Sequence, residues 1–83
     1  MRYKAKVEVS LKKGYYDPEG ETIKNSLLDL KYSVDEVRAS KLFHITLEAD
    51  SLESARSEVE EMSQRLLSNP VKDNYRIEIE EIE

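Results

Sequence analysis

The sequence predicts an α+β sandwich in which two strand–helix–strand halves build one four-stranded antiparallel sheet, with two helices on one face. Three observations carry this expectation. Residues 2–11 and 42–49 alternate apolar and polar side chains with the period of two that a half-buried strand requires. Residues 18–30 and 52–66 repeat their apolar side chains every three or four positions, the period of an amphipathic helix. Strand and helix signals then follow one another in the same order in each half of the chain.

Eighty-three residues allow one domain, 1–83, and leave no room for separate nucleotide and substrate lobes. The net charge is −5 and 37% of residues are charged, a balance that leans toward disorder, but the strong apolar periodicity argues for a folded chain. A domain this small lies near its stability limit, and with no cysteine it has no disulfide to help. Oligomerisation is the remaining common remedy, so an oligomer is expected. The absence of cysteine fits a reducing compartment. No apolar run approaches the roughly 20 residues of a membrane helix, and Met1–Ser10 lacks the apolar stretch of a signal peptide. A soluble, cytoplasmic protein that binds no membrane is the expectation.

The first strand places Tyr3, Ala5, Val7, Val9 and Leu11 inward, with Arg2, Lys4, Lys6, Glu8 and Ser10 in water. After a loop from Lys12 to Tyr16, Asp17-Pro18 reads as a helix start, because the carboxylate accepts orphan N–H groups and proline fits the first turn. Ile23, Leu27 and Leu30 form that helix's apolar stripe, with Leu28 at its edge. Gly20, inside the first turn, costs about 1 kcal/mol relative to alanine and implies a close approach to the backbone. A short second strand is predicted over Val34–Ala39, with Ser40-Lys41 as a tight connection into the third, where Phe43, Ile45, Leu47 and Ala49 point inward. Asp50-Ser51 caps a second helix with stripe Leu52, Ala55, Val59, Met62 and Leu66, and Asn69-Pro70 ends it. Tyr75, Ile77 and Ile79 mark the last strand, the expected neighbour of the first. This order is that of the ferredoxin-like βαββαβ sandwich, with both helix stripes covering the inward sheet residues.

The chemical inventory is short, and no catalytic, cofactor-binding or metal-binding residue is expected. Thiolate chemistry has no cysteine to use, and the one histidine, His44, sits on an outward strand position without a second imidazole. Gly14 and Gly20 are too few for a phosphate loop or a dinucleotide fingerprint. The acidic residues of the second helix read as a solvated face with i, i+4 pairs Arg56–Glu60 and Glu61–Arg65, and Glu78, Glu80, Glu81 and Glu83 as a charged edge. An RNA-binding sheet would carry outward aromatics and a basic balance, whereas Tyr3, Phe43 and Tyr75 point inward and the charge is negative, so no nucleic-acid partner is expected. Tyr15 and Tyr16, beside Lys12, Lys13 and the Asp17–Gly20 corner, suit either a core plug with a helix start or a protein-contact surface.

Those loops also carry a resemblance. Leu11-Lys12-Lys13-Gly14 followed by Asp17-Pro18-Glu19-Gly20 resembles the "LK-x-G…DP-x-G" signature of the PurS family, the small subunit of phosphoribosylformylglycinamidine synthase. Val37-Arg38-Ala39-Ser40-Lys41 resembles the family's "VR-x-x-K" hairpin. Glu61-Met62, Leu66–Val71 and Tyr75–Glu78 resemble its closing helix, "NPV" stop and final strand. The match runs from Met1 to about Glu80. Departures are Lys31 where a glycine usually follows the first helix, Glu19 for glutamine, and Tyr15-Tyr16 for smaller aliphatic residues. Lys31 then has to accept a left-handed backbone or use another helix stop.

The resemblance implies a non-catalytic subunit of a glutamine- and ATP-dependent ligase of purine synthesis. It would bridge a glutaminase subunit and a large synthetase subunit and assist ammonia transfer between them. ATP and magnesium are then expected on the large partner, with no cofactor on this chain, and a homodimer or tetramer is implied. Candidate interface residues are Lys12, Tyr15, Tyr16, Asp17, Pro18 and Gly20 after the first strand, Arg38 and Lys41 at the hairpin, and Asn69 and Pro70 at the closing corner. Asp17, Pro18, Asn69 and Pro70 serve equally as helix signals, and Arg38 and Lys41 as charge protecting a sheet edge. The competing expectation is a stand-alone small-molecule-sensing regulatory domain of the same fold.

Overall fold

The alternation of residues 2–11 becomes β1 (Arg2–Leu11), the central strand of a sheet with order β2-β1-β3. The other elements are α1 (Pro18–Asp29), β2 (Ser40–Glu48), α2 (Leu52–Met62), a π-helical turn (Ser63–Leu67) and β3 (Asp73–Glu81). This is a computed structural model that describes residues 1–82; Glu83, counted above in the charged edge, lies outside the described residues.

Both flanking strands run antiparallel to β1. Ala5 faces Ile45 and Ile79, and Val7 faces Phe43 and Ile77. The inner face is thus the expected one. Tyr3, Ala5, Val7 and Val9 are buried beneath Ala55 and Val59 of α2, with Phe43, Ile45, Leu47, Tyr75, Ile77 and Ile79 half-buried around them. The outer face is a charge ladder in which Lys4 stands opposite Glu80 and Lys6 opposite Glu78, while Arg76 reaches Glu8 at 3.6 Å. These exposed pairs contribute modestly, and their main effect is to hold the strand register. Among the described residues, no helix is long and apolar enough to cross a membrane.

The sheet has three strands, not the four expected. Val34–Ala39 is irregular, and its backbone is committed elsewhere: the Ala39 N–H donates to Asp17 and the Val37 carbonyl lies over Gly20. A strand needs those groups for a neighbour, and here they fasten the start of α1 instead. Ser40 and Lys41 are accordingly no turn. They open β2, opposite Ser10 and Val9.

Of the two α-helices, α2 is the one that packs closely on the sheet. The chain leaves the sheet after Leu11 and returns at Ser40, which pairs with Ser10, so α1 belongs to an arm thrown from one end. The consequence is an elongated molecule. Its long axis is 51 Å and its radius of gyration 16.3 Å, against roughly 12 Å for a compact chain of this length. The predicted α1 stripe is correspondingly uncovered: Ile23 is 42% exposed and Leu30 68%.

The second helix corrects its predicted stripe at the C-terminal end. Leu66, assigned inward by simple periodicity, is 83% exposed, and Leu67 packs against the core instead. The π turn explains this. The Ser68 N–H reaches back five residues to the Ser63 carbonyl at 2.9 Å, and the wider turn rotates the following side chains by one position. Ser63 then occupies a fully buried position, with its hydroxyl donating to the Val59 carbonyl at 2.8 Å. At the other end, the Ser51 hydroxyl caps α2 by accepting from the Ser54 N–H.

Candidate functional site: the loops at one end of the sheet

The ten candidate residues come from segments far apart in sequence, yet they gather where β1 ends and β2 and β3 begin. Asp17 is the centre of this end. One carboxylate oxygen accepts the Gly20 N–H at 2.9 Å, an ordinary helix cap, and the other accepts the Ala39 N–H at 2.7 Å. These two backbone donors hold its carboxyl below the usual carboxylate range, aided by the Arg38 guanidinium and opposed by partial burial. Pro18 fills the first helical position. Gly20 is buried, and a Cβ there would run into the Val37 carbonyl oxygen and the Asp17 carboxylate. The close approach expected from the sequence is therefore made by the chain's own residues 37–39.

On the other side of this end, the loop after β1 is tied to the loop before β3. Lys12 donates its backbone N–H to the Lys72 carbonyl at 2.7 Å and its Nζ to the Pro70 carbonyl at 3.0 Å. The Tyr15 hydroxyl donates to the Val71 carbonyl at 3.3 Å. Gly14, at φ +95°, makes the turn between Lys12 and Tyr15 in the left-handed region that glycine tolerates. Asn69 shapes the opposing loop, its side-chain oxygen accepting the Val71 N–H at 2.9 Å, and Asp73 accepts the Asn69 N–H at 2.8 Å. Tyr16 is 73% exposed and stands apart from this network.

Arg38 is exposed and reaches the Leu11 carbonyl at 3.3 Å. Lys41 is exposed on the first turn-in of β2, and the hairpin expected around both residues is absent because residues 34–39 are not a strand. Between the two loop groups lies a shallow cleft of about 220 Å³, lined among others by Leu11, Asp17, Lys41, Leu67, Lys72 and Asp73. Lys72 and Asp73 escaped the sequence reading, although they directly follow the Asn69-Pro70-Val71 corner. Val37 and Ala39 were read as strand residues. The signal that could have placed them is the pairing of Gly20 with a cap residue that has a second oxygen to share. With lysines, carboxylates and tyrosines at its rim, this end can form charged and hydrogen-bonded contacts. Among the described residues, no group of three or more His, Asp or Glu is arranged to hold a metal ion.

The helix stop falls where the sequence raised a question. Lys31 adopts φ +74°, its N–H bonded to the Leu28 carbonyl and that of Tyr32 to the Leu27 carbonyl, the paired closure of a Schellman motif. Lysine therefore accepts the left-handed position.

Comparison with known proteins agrees with this architecture. Residues 4–81 match the family PurS, described as phosphoribosylformylglycinamidine (FGAM) synthase. The phosphoribosylformylglycinamidine synthase subunit PurS of Methanocaldococcus jannaschii is 45% identical over 98% of this chain and 99% of its own. The crystal-form structure of Thermus thermophilus PurS superposes with a TM-score of 0.88 at 37% identity, covering 100% of both chains. A chain of the PurLQS structure from Thermotoga maritima gives a TM-score of 0.88 at 31% identity, over 96% of this chain and 99% of that one. With matches that span nearly its whole length, the chain belongs to the PurS family of phosphoribosylformylglycinamidine synthase subunits.

Proposed function

We propose that this chain, a small subunit of the glutamine-dependent ligase phosphoribosylformylglycinamidine synthase in purine biosynthesis, works as a bridge with no catalytic residue of its own. It joins the glutaminase subunit to the large ATP-dependent synthetase subunit and helps ammonia pass between them. ATP and magnesium belong to the large subunit, and this chain carries neither. It acts in the cytoplasm as a homodimer, with a tetramer as a further association.

The observation that carries the reading is the convergence of residues 12–20, 38–41 and 69–73 on one end of the sheet. Arg38 and Lys41 are exposed there, and neither side chain is needed to close the core. They are the contact residues this reading selects first. The PurLQS structure from Thermotoga, which contains a chain like this one, lends support.

Reconstitution tests the proposal. The chain is mixed with the large and glutaminase subunits, and glutamine-dependent formation of formylglycinamidine ribonucleotide is followed with and without it, alongside the mass of the complex. Both are expected to require the chain. Arg38→Ala with Lys41→Ala is expected to lower glutamine-dependent synthesis and leave synthesis from added ammonium salt unchanged. If synthesis and assembly proceed equally without the chain, the bridging role fails.

A further inference from the structure

The outer edge of β3 is open. The Lys12 N–H bonds the Lys72 carbonyl at 2.7 Å and the Ile82 N–H bonds the Arg2 carbonyl at 2.9 Å, a register that turns the even-numbered residues of β3 toward β1. The N–H and C=O groups of Tyr75, Ile77 and Ile79 therefore point away from the sheet, and among the described residues no strand takes them. Natural edges are commonly blunted by proline, lysine or an inward-pointing charge. Tyr75–Ile79 has none of these, and the acids on its inward side, Asp73 and Glu81, stand outside it.

The strand is also symmetric in its chemistry. Ile77 is the middle of its nine residues, with Tyr75 and Ile79 flanking it on the apolar side and Arg76 and Glu78 on the wet side. We infer that β3 pairs antiparallel with β3 of a second copy, about a two-fold axis through Ile77. In that register Ile77 faces its own counterpart, Tyr75 faces the partner's Ile79, and Arg76 faces the partner's Glu78 on each side of the axis. The Arg76–Glu78 rungs are non-hydrogen-bonded pairs, in which side chains lie closest. Within one copy Arg76 is exposed and loosely held, 3.6 Å from Glu8 and 3.8 Å from Glu78. Across the axis the charges alternate from Glu8 to Arg76, then to the partner's Glu78 and the partner's Lys6, so the ladder inside one sheet continues into the next. The β2 edge offers no such match, because its outward residues are Ser40, Leu42, His44, Thr46 and Glu48. Two three-stranded sheets become one continuous sheet, each half keeping its own α2 on the inner side. The inference rests on the tetramer reading above and names the contact that joins one pair of copies to another.

Light scattering at rising concentration and thiol cross-linking test the contact. The wild-type chain is expected to reach the mass of a tetramer. Arg76→Glu sets carboxylate against carboxylate across the axis and is expected to halve that mass, with the far-ultraviolet circular dichroism of a folded chain retained. Combining Arg76→Glu with Glu78→Arg is expected to restore the tetramer. The chain has no cysteine, so introduced thiols report cleanly. Arg76→Cys protein mixed with Glu78→Cys protein and oxidised is expected to give a mixed disulfide of twice 9.7 kDa, well above the yield from either variant alone. If Arg76→Glu loses its fold, the cross-link decides alone. A tetramer that ignores Arg76→Glu and forms no excess of the mixed disulfide would overturn the proposal and leave the tetramer reading intact. A fall of folded Arg76→Glu to monomers would overturn it as well, because the edge would then lie within a pair. A wild-type dimer at every concentration would overturn both.

Discussion

The carbonyl of Val37 occupies the space beside Gly20 where any other residue would carry its Cβ. A helix start and a stretch of chain seventeen residues later are thereby packed backbone to backbone, and the aspartate at position 17 supplies the hydrogen bonds that hold them.

Gly20→Ala tests that contact. The added methyl meets main-chain and carboxylate oxygens that cannot rotate away, so the substitution is expected to cost about 1–3 kcal/mol despite the better helix propensity of alanine. A urea titration reads the loss directly. An unchanged or raised midpoint would show that residues 37–39 yield freely.

Asp17 links stability to pH. Its carboxyl in the folded chain lies below the ordinary value of 3.8, so the unfolded chain binds the proton more readily. Its contribution is therefore present above pH 3.8 and fades as pH falls through the lower folded-state value. Asp17→Ala is expected to lose stability at neutral pH and to flatten the acid limb of stability against pH. Denaturant midpoints measured for both proteins from neutral pH into acid check the sign as well as the size.

Lys31→Gly is expected to stabilise the protein. A β-carbon in the left-handed region costs about 1–2 kcal/mol, part of which glycine returns through its freer unfolded chain, so a net gain of about 1 kcal/mol follows. Thermal unfolding at equal concentration is the measurement. No gain would mean that the lysine side chain makes compensating contacts.

The π turn makes neighbouring leucines unequal. Leu66→Ala is expected to change stability by no more than about 0.5 kcal/mol, whereas Leu67→Ala removes a core contact and costs about 2 kcal/mol. The opposite ranking would restore the uninterrupted helical phase.

Local patterns were legible in the sequence wherever one residue's neighbours settle its environment. The alternation at Tyr3–Leu11 and Phe43–Leu47, the caps at Asp17 and Ser51, and the stop at Asn69-Pro70 all have local causes. Val34–Ala39 has the composition of a strand, but its hydrogen bonds go to a carboxylate 22 residues away, a partner that no local pattern reveals. Leu66 illustrates another limit, because one five-residue turn shifts the phase of everything after it. The α1 stripe was read correctly as apolar, and its target was misplaced, since periodicity says that a face seeks cover without saying whose. Of the loop residues, Lys12, Tyr15 and Pro70 could be nominated one by one. Their joining through main-chain carbonyls depends on the register of β1 against β3.

Because Ser10 and Ser40 are already paired partners, everything between them is topologically an insertion into what would otherwise be a plain hairpin. The sheet does not depend on that insertion for its strand order. Sheet and arm can therefore change at different rates: length, helix and loop chemistry in the arm are open to variation while the strand pairing stays fixed. A short turn grafted across Ser10 and Ser40 would leave a three-stranded platform without α1 and without the Asp17 clamp on residues 37–39.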